Sequence, residues 1–319
     1  MLLALPKEVI SMKKRMIWTN IILLLLLVMT IFFALTHGAS KLNFNHLSSS
    51  SLNILFNIRL PRILSALVAG ASLSASGAFF QASLRNPIAE PGIMGVSSAA
   101  SLLSIVAGLV LPGLFFGKVV FALIGGLISF TLILLFQKKM DPYQLIIIGV
   151  ALDAAFTGIQ DLFSDNHFTG LNLATSTWES TLYLAVVGTI AIIFVICIMH
   201  WANYLKVDDA ELSSLGVSAA KLRFTLLLVA VILASITTAC IGVIAFIGII
   251  IPQIGRLLLG HDYQKIVPFS LLSGAWFLLF VDTLGRTINP PNEISANVIL
   301  AIIGGPFMIL ILLRRRHFA

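Results

Sequence analysis

Ten stretches of mostly apolar residues dominate the chain, at about 17–36, 60–82, 93–111, 118–137, 143–163, 181–200, 224–245, 247–259, 267–285 and 295–313. A helix needs about 20 such residues to cross the hydrocarbon of a bilayer. Only 10% of the 319 residues are charged, against about 25% in soluble domains. A water-soluble core has no room for so many apolar runs. The chain therefore reads as an all-α polytopic membrane protein of about ten transmembrane helices. Residues 1–319 form one transmembrane domain, with no separate soluble domain. The eighth stretch is short, which predicts a partial or broken span.

The net charge of +7 could suggest a nucleic-acid partner, but its placement argues against one. With the N-terminus inside, 15 of the 20 lysines and arginines fall on inner segments: Lys7, Lys13, Lys14, Arg15, Arg85, Lys138, Lys139, Lys206, Lys221, Arg223, Arg256, Lys265 and Arg314 to Arg316. The outer segments keep Lys41, Arg59, Arg62, Lys118 and Arg286. That asymmetry follows the positive-inside rule and places both termini in the cytoplasm. Cys197 and Cys240 both sit in apolar runs and suggest neither a disulfide framework nor a metal site. The first run follows Lys13, Lys14 and Arg15 and is long for a signal peptide, so it reads as an uncleaved helix.

Several polar features interrupt the apolar pattern. Residues 37–58, rich in Ser and Asn, read as an outer loop. From Ile63 to Ala82 the residues are small, and Ala66, Gly70, Ser74 and Ala78 recur every fourth position on one helical face. Such a stripe lets helix backbones approach closely in lipid, within one bundle or between two copies. A polar turn, Arg85 to Gly92, follows. Asp153 lies inside the fifth run, where a carboxylate is costly and marks a functional candidate; the plainer reading ties it to a neighbouring Ser or Thr. Asp161, Asp165, His167 and Glu179 make the next outer loop acidic. Lys206 to Arg223 is the longest polar inner loop, with Asp208 and Asp209 opening one short helix, Gly216 ending it and Ser218 starting a second. Gly242, Gly248 and Pro252 then break an apolar run, as in transporters whose interrupted helices line a pathway. Asp282 and Arg286 stand four apart and can pair. Gly304, Gly305 and Pro306 soften the last span.

The chain lacks a GxxxxGK[ST] phosphate loop, HExxH, CxxC and GxSxG, so an enzyme reading has little support. The six histidines are scattered over loops and both faces. They predict no metal or heme-iron site.

Separate motifs along the chain, in order, resemble the FecCD family, the ABC-importer permeases for ferric siderophores, heme and vitamin B12. They are Arg59-Leu-Pro-Arg62; the Gly70/Gly77 run to Gln81; Asn86-Pro87-Ile88-Ala89-Glu90-Pro91 with Gly95-Val-Ser; Leu215-Gly216-Val217; Gly242 to Gly248 with Pro252 and Arg256; Gly274-Ala275; Asp282 with Arg286; and Gly304-Gly-Pro306-Phe307. The resemblance covers nearly everything after the first span. It implies a vitamin B12 permease-like bundle in the bacterial cell membrane, working beside a second permease copy or paralogue. It also implies a pair of cytoplasmic ATPases, which carry the ATP, and an extracytoplasmic binding lipoprotein that delivers an iron chelate. No cofactor is then bound by this chain.

By the same resemblance Arg59, Arg62 and Arg286 receive acidic residues of the binding protein. Residues 207–220, with Asp208, Asp209, Glu211, Leu215, Gly216 and Val217, seat in the ATPase. Gly242, Gly248 and Pro252 mark a gate or helix break. Gly70, Ser74, Gly77, Asn86 and Pro87 serve packing, a dimer face or the pathway. Two departures stand out: Gln253 where many members have His, and Ile294-Ser-Ala-Asn297 where many have Leu-Pro-Val/Ile-Gly. The reading that follows is uptake of an iron chelate, a ferric siderophore first, with heme or a corrinoid as the alternative cargo. An ion-coupled secondary transporter using Asp153 is the alternative of a different class.

Overall fold

The computed structural model describes residues 7–38, 48–137, 140–164, 172–290 and 292–315. Among the described residues there are helices and turns but no strand. The long helices are α1 (Lys7–Thr36), α2 (Leu60–Ser83), α3 (Val96–Val110), α4 (Phe115–Gln137), α5 (Pro142–Ser164), α6 (Trp178–Ile198), α7 (Ala219–Ile241), α8 (Ile247–Leu259), α9 (Tyr263–Thr287) and α10 (Ala296–Arg315). Each expected apolar stretch meets one of them. Among the described residues seven segments are long and apolar enough to cross a membrane, whereas Val96–Val110, Ile247–Leu259 and Ala296–Ile311 are shorter. Ten full crossings is therefore a loose count. The shortening of α3 and α8 has a local cause, because the chain ahead of each returns into the bundle as irregular backbone.

α2 is the central post, contacting α6, α7, α8 and α9. Its small residues explain that position. A methyl group built on Gly70 would overlap the carbonyl of Gly274 on α9, and one on Gly77 would overlap Gly248 on α8. Without a hydrophobic drive between helices in lipid, such close approach is a main source of packing energy. Ser74 donates its hydroxyl back to Gly70 O at 2.7 Å, which keeps a polar atom satisfied at the crossing. Gly70, Ser74 and Gly77 are all buried within the chain, so the stripe does not face a second copy. α3 and α4 form the other tight pair, with Gly125 against Ala99 and Ala100. α1 docks on α9, where Trp276 Nε1 donates to Thr30 Oγ1 at 3.1 Å.

Two expectations change. Residues 48–58 are helical rather than an open loop: Ser49–Asn53 and a π-helical turn, Ile54–Arg59, run straight into α2. Ser48 Oγ accepts from Ser51 N at 3.3 Å, and the Leu60 amide reaches back five residues to Leu55 O. The second short helix expected at Ser218 is the first turn of α7, with Ser218 as its cap. Asp165 and His167 lie outside the described residues.

Gly274→Val is expected to cost about 1–3 kcal/mol of stability through overpacking at the α2–α9 crossing, read as a lower unfolding midpoint of the purified protein. Gly158, with open space around it, supplies the contrast: Gly158→Ala should leave the midpoint unchanged or slightly raised.

Candidate functional site

Three polar regions follow one another from the outer to the inner end of the bundle. At the outer end Arg62 binds Asp282 through two nitrogens, with Nη2 to Oδ1 at 2.8 Å and Nε to Oδ2 at 3.0 Å. Its Nη1 meets Glu293 Oε2 at 2.7 Å. Arg286 approaches the same Asp282 at 3.5 Å, so the expected pairing four residues apart is present but shared. Arg59 donates to Leu35 O on α1. Arg59, Arg62 and Arg286 are only 2%, 6% and 3% exposed. The resemblance suggests arginines open to a partner, but in this conformation all three are turned inward. Among the described residues three guanidiniums gather with two carboxylates, Asp282 and Glu293, so the cluster is net positive. A buried pair of this kind is costly to break from one side, about 3–5 kcal/mol.

The centre is built from two irregular segments, 84–95 and 242–246. Gly242 (φ 81°) ends α7 and Phe246 opens α8 with a positive φ of 69°, a region strained for a side chain of that size. Glu90 holds this start. Its carboxyl group accepts from Phe246 N at 2.8 Å and lies beside the start of α8 at Gly248 and Ile249. It is 2% exposed. A carboxyl oxygen at a helix N-terminus meets amides that have no partner within the helix. The Phe246 ring fills the notch at Gly304, where a Cβ would collide with it. Asn297 Oδ1 accepts from Ala245 N at 3.3 Å.

Pro252 explains a further contact. Lacking an amide hydrogen, it leaves the carbonyl of Gly248, four residues earlier, without its helical donor. Gln81 Nε2 supplies that donor at 2.8 Å. Gln253, the residue that departs from the common pattern, donates to Pro87 O at 3.1 Å. Asn86 accepts from Ile88 N through Oδ1 at 3.2 Å and so shapes the turn. Asp153 stands near the Ser98 hydroxyl on α3, which itself donates to Gly95 O at 3.2 Å. Glu90, Phe246 and Gln81 escaped the list of sites read from the sequence. Glu90 stood in a turn whose composition reads as surface, and only its return into the bundle buries it.

At the inner end lies the segment that the family resemblance reads as the coupling segment. Asp208 precedes the short helix Asp209–Ser214, Gly216 takes a positive φ of 75°, and Val217 N closes the turn on Leu212 O at 2.9 Å. Leu212 is buried beneath it while Leu215 is 71% exposed. Glu211 is also on the exposed side. Asp209 accepts from Arg223 at 2.7 Å and from Arg85 at 2.9 Å. Arg85 also donates to the carbonyls of Leu205 and Val207. Arg85 thus ties this segment to the 84–95 turn, which also carries Glu90. The hydrogen bonds from Arg223, ahead of the fields of Arg223 and Arg85, hold the Asp209 carboxyl below the usual carboxylate range.

Comparison with known proteins gives a consistent picture. Residues 21–314 match the model of the FecCD transport family. The chain is 38% identical over 311 residues to IsdF of Staphylococcus aureus strain Newman, described as a heme-iron transport system permease protein; the match covers 94% of this chain and 96% of the relative. IsdF of strain MW2 matches with the same identity and coverage. A solved structure described as an inward-facing metal-chelate type ABC transporter superposes with a TM-score of 0.80 at 29% identity, covering 92% of this chain and 98% of that one. PsaBC from Streptococcus pneumoniae, at 19% identity and a TM-score of 0.53, shares the fold.

Glu90→Ala should destabilise the protein by about 1–3 kcal/mol, because buried amides at the start of α8 lose their acceptor; a thermal unfolding midpoint equal to wild type would remove Glu90 from this role. Since its folded value is depressed, Asp209 adds stability above its unfolded value of about 4. That contribution is lost as pH falls through the folded value. Hydrogen-exchange protection in residues 205–217, taken against the intrinsic rate at each pH, should therefore fall below about pH 4 in wild type, and Asp209→Asn should show the lower protection already at pH 7.

Proposed function

The chain belongs to the FecCD transport family, and from that membership we propose that it is the membrane-embedded permease of an importer for an iron chelate, with heme as the cargo. At the coarser level it is a permease of a metal-chelate or heme ABC importer, a transporter rather than an enzyme, in a multi-pass membrane setting. The observation that supports heme is the 38% identity to IsdF across almost the whole of both chains. The sequence alone puts a ferric siderophore first; the likeness to heme-iron permeases reverses that order. Family membership also sets aside an ion-coupled carrier built on Asp153.

In this reading an extracytoplasmic binding protein docks over the outer cluster. Arg59, Arg62 and Arg286 attract its carboxylates through the net positive field, and direct pairing requires them to exchange partners with Asp282 and Glu293. The cargo passes beside the interrupted helices of this chain and a second permease copy or paralogue. Cytoplasmic ATPases bind the ATP and engage the exposed Leu215 face of the coupling segment. Movement there is carried through Arg85 to the 84–95 turn and through Glu90 to the start of α8. That route is continuous and polar, and it joins the coupling segment to the break between α7 and α8. Alternating access then follows from the ATPases favouring one arrangement of the pair over another.

Reconstitution with the cognate ATPase and binding protein tests this. Uptake of labelled heme should require ATP, and it should exceed uptake of any ferric siderophore in a panel. Uptake of a siderophore with heme excluded would overturn the cargo, and uptake driven by a proton gradient without ATP would overturn the class.

A further inference from the structure

A cavity of about 950 Å³ opens at the inner end between α8, α10 and the 84–87 turn. Its walls combine apolar side chains, Leu257, Phe307 and Leu310, with the cations Lys206 and Arg256. The two cations flank one aromatic ring: Lys206 Nζ lies 5.3 Å and Arg256 Cζ 5.9 Å from the centre of Tyr263. Arg256 Nη2 donates to Tyr263 Oη at 3.4 Å, while its Nη1 is buried with no hydrogen-bond partner among the described residues. Among the described residues neither cation forms an ion pair. The nearby carboxylate is Asp262, and it is engaged elsewhere. It accepts from Asn203 Nδ2 at 2.8 Å and Gln264 N at 3.0 Å, and it faces Lys265 at 3.8 Å. Burial, and then the neighbouring Arg256, hold the Lys206 ammonium below the ordinary lysine range against the opposing pull of Asp262. Two cations held together beside a cavity, one with an unused buried donor, are short of an anion.

The walls say which anion. Leu257 and Leu310 are 59% and 64% exposed, so the cavity opens along an apolar flank rather than into a closed polar pocket. The charge distribution puts this end at the cytoplasmic leaflet, where basic pockets between helices suit anionic head groups. A ligand with a phosphate at one end and hydrocarbon at the other satisfies both surfaces. We propose that Lys206 and Arg256 bind the phosphate of an anionic phospholipid from the inner leaflet, with its acyl chain lying along Leu257 and Leu310. Tyr263 positions the two cations.

The test uses the full chain, purified and titrated with phosphatidylglycerol, phosphatidylcholine or inorganic phosphate, with bound lipid counted by native mass spectrometry. Phosphatidylglycerol should be retained in preference to phosphatidylcholine. The Lys206→Ala/Arg256→Gln variant should bind it about thirtyfold more weakly, about 2 kcal/mol for two cations. The charge-keeping pair Lys206→Arg/Arg256→Lys should hold most of that affinity, which separates lost charge from lost folding. Equal retention of the two lipids, or unchanged retention in Lys206→Ala/Arg256→Gln, overturns the site. Inorganic phosphate alone displacing phosphatidylglycerol at matching concentration overturns the lipid as its source.

Discussion

Irregular backbone inside a membrane protein is tolerated only where its polar groups find partners within the protein or in a wet cavity. The Glu90 carboxylate is the interaction that meets this condition here. It joins the 84–95 turn to the start of α8, and the remaining irregularities settle around it. Phe246 keeps a strained backbone angle because Glu90 holds its amide and Gly304 leaves room for its ring. Gln81 takes the carbonyl that Pro252 leaves over. Remove the carboxylate and two segments of chain at the centre of the bundle lose their common support.

This centre sits between two charged ends that differ in kind. The outer cluster is closed in on itself, with Asp282 shared by Arg62 and Arg286. On the proposed reading, a partner docking there would exchange ion pairs rather than capture idle charges. The inner end is more open. Leu215 stands exposed, Asp209 is clamped by Arg85 and Arg223, and Lys206 with Arg256 face a cavity. The proposed import would need the outer end to hold until a loaded partner arrives and the inner end to answer to moving subunits. The ion-pair arrangement suits that division.

Small residues do structural work that their spacing alone does not specify. The stripe through Gly70 and Ser74 reads first as internal packing, with a dimer face as the other reading. The structure uses it internally, against Gly274, with Gly77 against Gly248. Helix interfaces in lipid are chosen by shape rather than by hydrophobicity, since every face of such a helix is apolar. A one-dimensional pattern therefore reveals that two backbones meet closely but not which two.

The sequence by itself determined the class of protein, the run of helices, their orientation and the broken eighth span. Length and charge placement settle these, because hydrocarbon thickness and the membrane's charge asymmetry act on each segment separately. It also exposed Asp209, Gly216, Gly242 and Pro252, whose residue types mark helix ends and breaks locally. Only the tertiary structure decided that Glu90 is buried, that Arg62 is paired with Asp282 and Glu293 more than 200 residues away, and that Lys206 meets Arg256 over Tyr263. Those contacts join segments far apart in the chain. They follow from how helices pack in three dimensions, which no local pattern of apolar and polar residues records.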